Sequence, residues 1–490
     1  MRNPIVLLAS AILMTASCSG PQFEVCKYKD DLQAAVSLTF DDGLIDDYTL
    51  IAPCLDSLGI KGTFWIIGEN IGQLEGRLTW EQCRRMASTG HEISNHSWTH
   101  PHLTNMTAEE IEEQVRLCDE AITRNVGRKP LSFCFPFNAH NALVDSICGA
   151  GRVGMRTYQE AQGQVNSKST PESLRAWMRK TIDNGEWGVT MTHGIHTGWD
   201  QWNDSQVLWD FYSELASKRD TIWIATFAEV AAYVGERDNC TVKVSGNSKQ
   251  LTIEPECTLD SSIYTQKLSA KITMGRKSWV VEFDPFGGPQ TFDLKDPMLG
   301  KSIIFFGDSY VRNHVRPYTE AWHYKVAQRH HMKYLNFGIN GSSVAMDRSA
   351  QGFGKAMVER YKTMPDADYV VVIAGHNDTY FMVNENTRAT EMEKMDELCR
   401  GLKEKYPASK IAWITPWHVD RPGFEETIVA IKEVCARYDI PVLDTETSGV
   451  EVNNDEFRAR YFQGPKDTAH LNADGHDLIV DWGDAFLQQL

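Results

Sequence analysis

Runs of apolar residues alternate with amphipathic stretches in two parts of the chain. In the first part, the apolar runs 35–40 and 63–67 lie close together, and residues 108–122 carry apolar or small residues at helical spacing. In the second part, continuous apolar runs recur between helical stretches, at residues 303–306, 369–374, 411–414 and 441–443. Continuous apolar runs are typical of parallel strands buried on both faces, so two α/β domains are predicted.

The pattern changes between these two parts. Short alternating segments, separated by Gly, Ser, Asn and Pro, follow one another at residues 241–244, 250–253, 266–273 and 278–283. This pattern indicates strands of a small all-β linker module, which serves either as a spacer or as a carbohydrate-binding face. The predicted division is an N-terminal segment 1–18, then domains at 28–238, 239–297 and 298–490.

Composition and charge limit the range of possible functions. A chain of 490 residues exceeds one ordinary domain, and 42% hydrophobic residues with 14 tryptophans are typical of folded globular proteins. The net charge of −17 disfavours nucleic acid and anionic lipid surfaces as partners. We therefore expect a globular protein that acts on neutral or weakly charged material.

The N-terminus has the pattern of an export signal. Arg2 precedes the apolar run 5–14, which is shorter than the roughly 20 residues needed to span a bilayer. Thr15-Ala16-Ser17-Cys18 resembles a bacterial lipobox, although Thr15 stands where an aliphatic residue is usual. We expect export to the bacterial cell envelope, periplasm or surface, with a lipid anchor at Cys18. The alternatives are ordinary cleaved secretion and a retained anchor.

An oxidising compartment permits disulfides. Cys240 and Cys257 flank a short β-like segment that a disulfide could staple. Buried free thiols are the alternative for most of the 11 cysteines, whose spacings show no zinc framework.

Two acidic residues end the first apolar run, and two histidines follow farther along. Asp41 and Asp42 precede Gly43, and His96 and His100 stand four residues apart. Carboxylates at the carboxyl end of a barrel strand lie where such folds place their chemistry. Two imidazoles and a carboxylate can bind one ion and leave positions open for water and a carbonyl oxygen. The alternatives are a helix cap for the acids and surface positions for the histidines.

These motifs, together with Met191-Thr192-His193, resemble the polysaccharide deacetylase family (NodB homology, carbohydrate esterase family 4) across residues 33–235. The resemblance implies a distorted (β/α) barrel that removes N- or O-acetyl groups from glycans with a divalent metal. It implies that Asp42, His96 and His100 bind the metal, for which zinc is the default with this ligand set. It also implies that Asp41 is the general base and His193 the general acid.

The chain departs from this family at two motifs. Cys134 stands where the third motif has an arginine that orients the base, and no clear match to the fourth motif, an acid near a tryptophan, appears before His193. We expect Arg175 or Arg179 to replace the missing guanidinium. A non-catalytic, glycan-binding barrel is the alternative.

A serine follows the first apolar run of the second α/β region. Ser309 lies in Gly307-Asp308-Ser309-Tyr310, and Asp467 and His470 stand three residues apart near the C-terminus. A nucleophilic serine needs a base within hydrogen-bonding distance and an acid that orients the base. The segments 336–341 and 375–378 also follow apolar runs and offer donors at the same sheet edge.

This pattern resembles the SGNH (GDSL-like) hydrolase family across residues 300–490. The resemblance implies a flavodoxin-like, three-layer α/β/α domain with Ser309 as nucleophile, His470 as base and Asp467 as the orienting acid. Gly341 and Asn377 are the implied oxyanion donors, and loss of one such donor typically costs about 2.7–4 kcal/mol of barrier.

Together the motifs predict an exported, bifunctional hydrolase that removes acetyl groups from a polysaccharide. Because serine hydrolases of this type cleave esters more readily than amides, O-acetyl groups on a polymer such as xylan or pectin are the expected target. The alternatives are an N-deacetylase of an amino-sugar polymer in the first domain, or a first domain that binds glycan while the second does all catalysis. The expected partner is an acetylated polysaccharide or oligosaccharide, with no nucleic acid and with membrane contact only through the anchor.

Overall fold

The computed structural model describes residues 20–490, so the expected signal segment and Cys18 lie outside the described residues. The chain divides into two compact units, with the boundary between Thr291 and Phe292. Within the described residues, no helix combines the length and the apolar character needed to cross a membrane.

The first unit begins with parallel strands and helices in alternation. The elements are β1 (Gln22–Val25), β2 (Ala34–Asp42), α1 (Ala52–Ser57), β3 (Gly62–Ile66), α2 (Trp80–Ser88), β4 (Glu92–Asn95), α3 (Ala108–Val126), β5 (Ser132–Cys134), α4 (Ala142–Cys148), β6 (Gly154–Arg156), β7 (Glu160–Ala161), α5 (Pro171–Asp183), β8 (Trp187–Met191), α6 (Gln206–Ala216), β9 (Ile222–Ile224) and α7 (Phe227–Asn239). Local signals define several ends: α3 starts at a capping box formed by Thr107 and Glu110 and stops at Gly127, which has a left-handed backbone.

Eight of these strands form a parallel half-barrel in the order β6-β5-β4-β3-β2-β8-β7, with β9 pairing to β2. This confirms the predicted distorted (β/α) barrel. The carboxyl ends of β2, β4, β5, β6 and β8 bring Asp41 and Asp42, His96, Cys134, Arg156 and His193 to one edge. That edge is where barrels of this kind place their chemistry.

The all-β segment contains β10 (Cys240–Gly246), β11 (Gln250–Cys257), β12 (Leu268–Met274), β13 (Lys277–Phe283) and β14 (Gln290–Asp293). β1 adds to it, because Gln22–Val25 pairs antiparallel with β12 in the sheet β1-β12-β13. Local sequence patterns did not indicate this pairing, since the two strands are distant in the chain. Up to Thr291 the segment belongs to the first compact unit, and the boundaries 28–238, 239–297 and 298–490 stay a prediction.

The second unit is a five-stranded parallel sheet in the order β16-β15-β17-β18-β19. Its elements are β15 (Ser302–Gly307), α8 (Ser309–Arg312), α9 (Trp322–Arg329), β16 (Lys333–Gly338), α10 (Met357–Arg360), β17 (Tyr369–Ile373), α11 (Thr379–Met382), α12 (Glu385–Lys405), β18 (Lys410–Ile414), α13 (Phe424–Ala436), β19 (Val442–Leu443), α14 (Asp455–Tyr461), α15 (Ala473–Leu478) and α16 (Val480–Leu487).

Alternate residues of β15 face two different cores. Ile304 and Phe306 pack in a cluster with residues of α12 and α13, whereas Ile303 and Phe305 pack in a second cluster with residues of α9 and α16. Successive side chains of a strand point to opposite faces, so helices cover both sides of the sheet. This arrangement confirms the predicted three-layer α/β/α fold.

Cys240 and Cys257 are both free and lie directly opposite each other in β10 and β11. The next pair along the ladder, Asn239 and Thr258, is hydrogen-bonded, because Thr258 N–H donates to Asn239 C=O. Hydrogen-bonded and non-hydrogen-bonded pairs alternate along an antiparallel ladder, so the two cysteines form a non-hydrogen-bonded pair, in which side chains approach most closely.

We therefore predict that oxidised glutathione joins Cys240 to Cys257 without disturbing the fold. A disulfide closing a loop of this length is expected to stabilise the first unit by about 3 kcal/mol. Peptide mapping by mass spectrometry under non-reducing conditions checks the link, and Cys240→Ser is the matched control. Two thiols that remain open to alkylation after oxidation would contradict the prediction.

Candidate active sites

Asp42, His96 and His100 converge at the carboxyl edge of the half-barrel. Asp42 Oδ1 lies 3.6 Å from His96 Nε2 and 3.8 Å from His100 Nε2, and the two imidazole nitrogens are 3.2 Å apart. One potential ligand atom from each residue lies within 4.8 Å of the others. The geometry thus brings together the three residues expected to bind a metal.

The electronic state of these side chains fits a divalent cation. His96 Nδ1 donates to the Cys134 carbonyl at 2.8 Å, which leaves the lone pair of Nε2 facing Asp42. Burial lowers the pKa of His96, and burial together with His96 lowers that of His100 to about 4, so both imidazoles are neutral at pH 7. Asp42 Oδ1 is buried and has no hydrogen-bond partner among the described residues. Two neutral imidazoles and a carboxylate oxygen without a donor are a suitable ligand set.

The backbone is strained where it presents two of these residues. Asp42 has φ of 80° and His100 has φ of 59°, in the left-handed region that residues with a side chain rarely adopt. Such conformations cost of order 1–3 kcal/mol each and cluster at functional sites. The fold therefore holds Asp42 and His100 in place against their local preference.

Asp41 forms a buried, bidentate ion pair with Arg156. Arg156 Nη1 donates to Asp41 Oδ1 at 2.8 Å and Nη2 donates to Oδ2 at 2.5 Å, and each residue is 2% exposed. Burial alone would raise the pKa of Asp41, but the charge of Arg156, followed by that of His193, holds it below the ordinary value. Arg156 also donates to Thr39 Oγ1 and lies 4.7 Å from the ring of Trp65. Asp41 is therefore ionised and fixed in orientation.

The expectation that Arg175 or Arg179 replaces the motif arginine is wrong. Arg175 is exposed and pairs with Glu214, and the Nε of Arg179 donates to the backbone of Arg175. Arg156 pairs with Asp41 instead, from the strand next to Cys134: Cys134 and Arg156 are register partners in β5 and β6. A guanidinium at the end of the adjacent parallel strand reaches the same edge. The arginine directly at the end of the apolar run 153–155 was the signal that could have identified it.

His193 lies beside both Asp41 and Asp200, a residue that the sequence motifs did not indicate. His193 Nε2 lies 3.7 Å from Asp41 Oδ2, and Nδ1 lies 2.6 Å from Asp200 Oδ2. Burial would lower the pKa of His193, but the bond to Asp200 and the charge of Asp41 raise it. Asp200 stands beside Trp199, so the acid that binds His193 follows it in the chain.

In the second compact unit, called the serine unit below, the three predicted residues are linked by hydrogen bonds. Ser309 Oγ lies 2.8 Å from His470 Nε2, and His470 Nδ1 lies 2.9 Å from Asp467 Oδ2. The other oxygen of Asp467 accepts from the backbone N–H groups of Ala469 and His470, at 2.8 and 3.0 Å. Burial would raise the pKa of Asp467, but these hydrogen bonds lower it. The arrangement suits a serine whose proton passes to the imidazole.

Close packing fixes where Ser309 stands. Gly307, at the end of β15, has no room for a side chain, because a Cβ there would lie 2.0 Å from the Ile373 carbonyl oxygen. Ser309 is then the first residue of α8, and Asp308 caps this helix through Tyr310 N–H at 2.9 Å.

The two expected oxyanion donors follow β16 and β17, the strands on either side of β15. Gly341 has φ of 69°, and its carbonyl accepts from Arg348 at 2.8 Å. Asn377 Nδ2 donates to Asp308 Oδ2 at 3.2 Å and to the Ser342 carbonyl at 2.9 Å. Both amide hydrogens of Asn377 are thus engaged within the protein, and its role as an oxyanion donor stays a prediction.

Fold and side chains define two hydrolase-type domains, a half-barrel with a carboxylate–imidazole pocket and a three-layer domain with a serine–histidine–aspartate line. A family model for polysaccharide deacetylase matches residues 29–157, and one for the GDSL-like lipase/acylhydrolase family matches residues 305–478. The chain belongs to the polysaccharide deacetylase family through its first unit and carries a GDSL-like hydrolase domain in its second.

Several curated relatives of the chain are deacetylases. The chain is 30% identical over 169 residues to a chitin deacetylase of Colletotrichum lindemuthianum, which covers 33% of this chain and 67% of that protein. It is 31% identical over 117 residues to the peptidoglycan-N-acetylglucosamine deacetylase PgdA of Listeria monocytogenes, covering 23% and 24% of the two chains. It is 28% identical over 116 residues to a bifunctional xylanase/deacetylase of Pseudobutyrivibrio xylanivorans, covering 24% and 19%. Of the first curated relatives that it matches, the chain spans only 37% and 24% of their length.

The Arg156–Asp41 pair leads to a stability prediction. Arg156→Met leaves a buried carboxylate without its partner, and breaking a buried pair in this way costs about 3–5 kcal/mol. We expect denaturant unfolding of the first unit to shift to clearly lower concentration.

Arg175→Met is the matched control, because the exposed Arg175–Glu214 pair is expected to contribute little. An Arg156→Met protein as stable as Arg175→Met would contradict the assignment of Arg156.

Proposed function

We propose that this protein is an exported, bifunctional carbohydrate deacetylase that removes acetyl groups, with O-acetyl groups as the main target. The observation that carries the proposal is the coexistence of two complete sets of side chains, each at the carboxyl edge of its own parallel sheet. The proposed roles are Asp41 as base, His193 as acid, and Ser309, His470 and Asp467 as the second catalytic set.

In the first pocket, a divalent cation held by Asp42, His96 and His100, with zinc as the natural choice for this set, would supply an acidified water and polarise the acyl carbonyl. Asp41 accepts the proton of the attacking water, and Arg156 keeps it ionised and aimed at the pocket. His193, whose pKa the hydrogen bond to Asp200 raises, donates a proton to the departing sugar oxygen or nitrogen.

In the second pocket, Ser309 Oγ attacks the acetyl carbonyl while His470 Nε2 takes its proton. His470 then returns this proton to the leaving sugar hydroxyl, and a water activated by the same imidazole cleaves the acetyl–serine ester. Asp467 holds the imidazole and stabilises its charged form. Gly341 N–H, Asn377 and the N–H of Ser309 are the proposed oxyanion donors.

The ester preference rests on the serine unit, because a triad of this kind cleaves esters more readily than amides. The xylanase/deacetylase relative supports an O-acetylated plant polymer as the substrate. A second candidate is removal of N-acetyl groups by the first pocket, which the names of the chitin and peptidoglycan deacetylases support. A purely glycan-binding first unit is disfavoured, because Arg156 supplies the guanidinium that the sequence motif lacks.

The proposed location is the bacterial cell envelope, with a lipid anchor at Cys18. This rests on the residues at the N-terminus, and a net charge of −17 agrees with a neutral glycan as partner.

Acetate release from acetylated xylan, pectin and chitooligosaccharides tests the assignment. We expect Asp42→Ala and Ser309→Ala each to lose part of the release from an O-acetylated polymer, because each disables one pocket. Loss only in Ser309→Ala would make the first unit a binder or an enzyme for another substrate. Loss only in Asp42→Ala would remove the second unit from the reaction, and acetate from chitooligosaccharides alone would overturn the ester preference.

Removal of metal further distinguishes the acetate release of the first pocket from that of the second. Dialysis against a chelator is expected to abolish the release that survives in Ser309→Ala and to leave that of Asp42→Ala unchanged, because the serine unit has no step that needs a cation. Elemental analysis is expected to give about one metal ion per chain in wild type and none in Asp42→Ala. Chelator-resistant release by Ser309→Ala would contradict the metal assignment.

A further inference from the structure

Two carboxyl groups face each other beneath the oxyanion segments of the serine unit. Asp378 is 0% exposed and Glu391, on α12, is 1% exposed. The two carboxyls lie within hydrogen-bonding reach of each other, yet neither Asp378 Oδ2 nor Glu391 Oε1 receives a hydrogen from any described residue. Two ionised carboxylates have only acceptors, so this contact requires a proton between them.

The partners of each group indicate which one holds the proton. Asp378 Oδ1 accepts from Ser343 Oγ at 2.5 Å and from Val344 N–H at 2.7 Å, which stabilises a negative charge on Asp378. Burial and the charge of Asp378 raise the pKa of Glu391 to about 10. Glu391 is therefore the neutral acid that donates, and Asp378 is the carboxylate that accepts.

The pair also holds consecutive residues of one backbone segment. Ser343 and Val344 are both bound by Asp378. This segment directly follows Gly341 and Ser342, and Asp378 directly follows Asn377, which donates to the Ser342 carbonyl. The pair of Asp378 and Glu391 thus connects the segment that contains Gly341 with the segment that contains Asn377.

We propose that Glu391 is a positioning residue of the serine site, which keeps the oxyanion segments in register by donating its proton to Asp378. The inference rests on the proposed function of the serine unit. Loss of that proton places two negative charges in contact inside the core, and the pair is then expected to separate and release Ser343 and Val344.

Other charged groups nearby are engaged elsewhere. Burial and the charge of Asp378 raise the pKa of Asp308, and the charge of Arg360 of α10 lowers it. On α12, Arg388 is directed to the Met382 carbonyl and to Glu426 of α13, and Lys394 pairs with Glu397. Lys362, between α10 and β17, pairs with Glu359. Asp378 is therefore the charged group that sets the protonation of Glu391.

The proposal is tested by measuring hydrolysis of 1-naphthyl acetate at several pH values in wild type, Glu391→Gln and Glu391→Leu. The rate of Ser309→Ala is subtracted as background. The amide of Gln can donate to Asp378 without titrating, so we expect kcat near that of wild type at neutral pH. Wild-type kcat is expected to fall as pH approaches about 10, with a smaller fall in Glu391→Gln. Glu391→Leu is expected to lose about tenfold or more in kcat with little change in KM, since a misplaced oxyanion donor acts on the transition state. Identical pH profiles for wild type and Glu391→Gln would overturn the proposal.

An infrared difference spectrum tests directly whether Glu391 carries a proton. At pH 8, wild type minus Glu391→Gln is expected to show the carbonyl band of a buried carboxylic acid, and its absence would overturn the proposal. This readout does not depend on activity, so it stands even if Glu391→Leu fails to fold. If wild type does not hydrolyse the ester but the band is present, the proposed function fails and the positioning role fails with it, while the proton-sharing pair remains.

Discussion

Parallel strands buried on both faces leave one edge at which polar side chains can gather, and both candidate sites depend on this constraint. The apolar strands of each unit can carry no chemistry within the core, so the reactive residues follow directly after the last buried position. In the first unit β2 ends in Asp41 and Asp42, and in the second β15 ends just before Ser309. The same arrangement thus serves the carboxylate–imidazole pocket of the first unit and the serine–histidine–aspartate line of the second.

Charge placed at such an edge must be compensated locally. Asp41 stays ionised at 2% exposure because Arg156 binds both of its oxygens, and Asp467 stays ionised because two backbone N–H groups and an imidazole bind it. The compensation differs between the two sites, with a full counter-charge beside Asp41 and hydrogen bonds to Asp467. Asp378 and Glu391 show a third solution, in which a proton removes one of two charges.

The sequence was informative where function depends on neighbours in the chain. The apolar runs predicted both sheets, and the short spacings His96 to His100 and Asp467 to His470 predicted side chains that the fold does bring together. Prediction failed where partners meet only through strand order. Arg156 reaches Asp41 because β6 lies beside β5, β1 joins a sheet formed far along the chain, and Asp200 binds His193 through a loop that no periodic pattern describes.

The central claim is that the edge of the half-barrel holds a catalytic cation between two imidazoles and one carboxylate. Anomalous diffraction from crystals grown with zinc tests it most directly. The account predicts one strong peak about 2.1 Å from His96 Nε2 and from His100 Nε2, with Asp42 as the third ligand. A peak elsewhere, or none at this position with the two imidazoles turned apart, would contradict it.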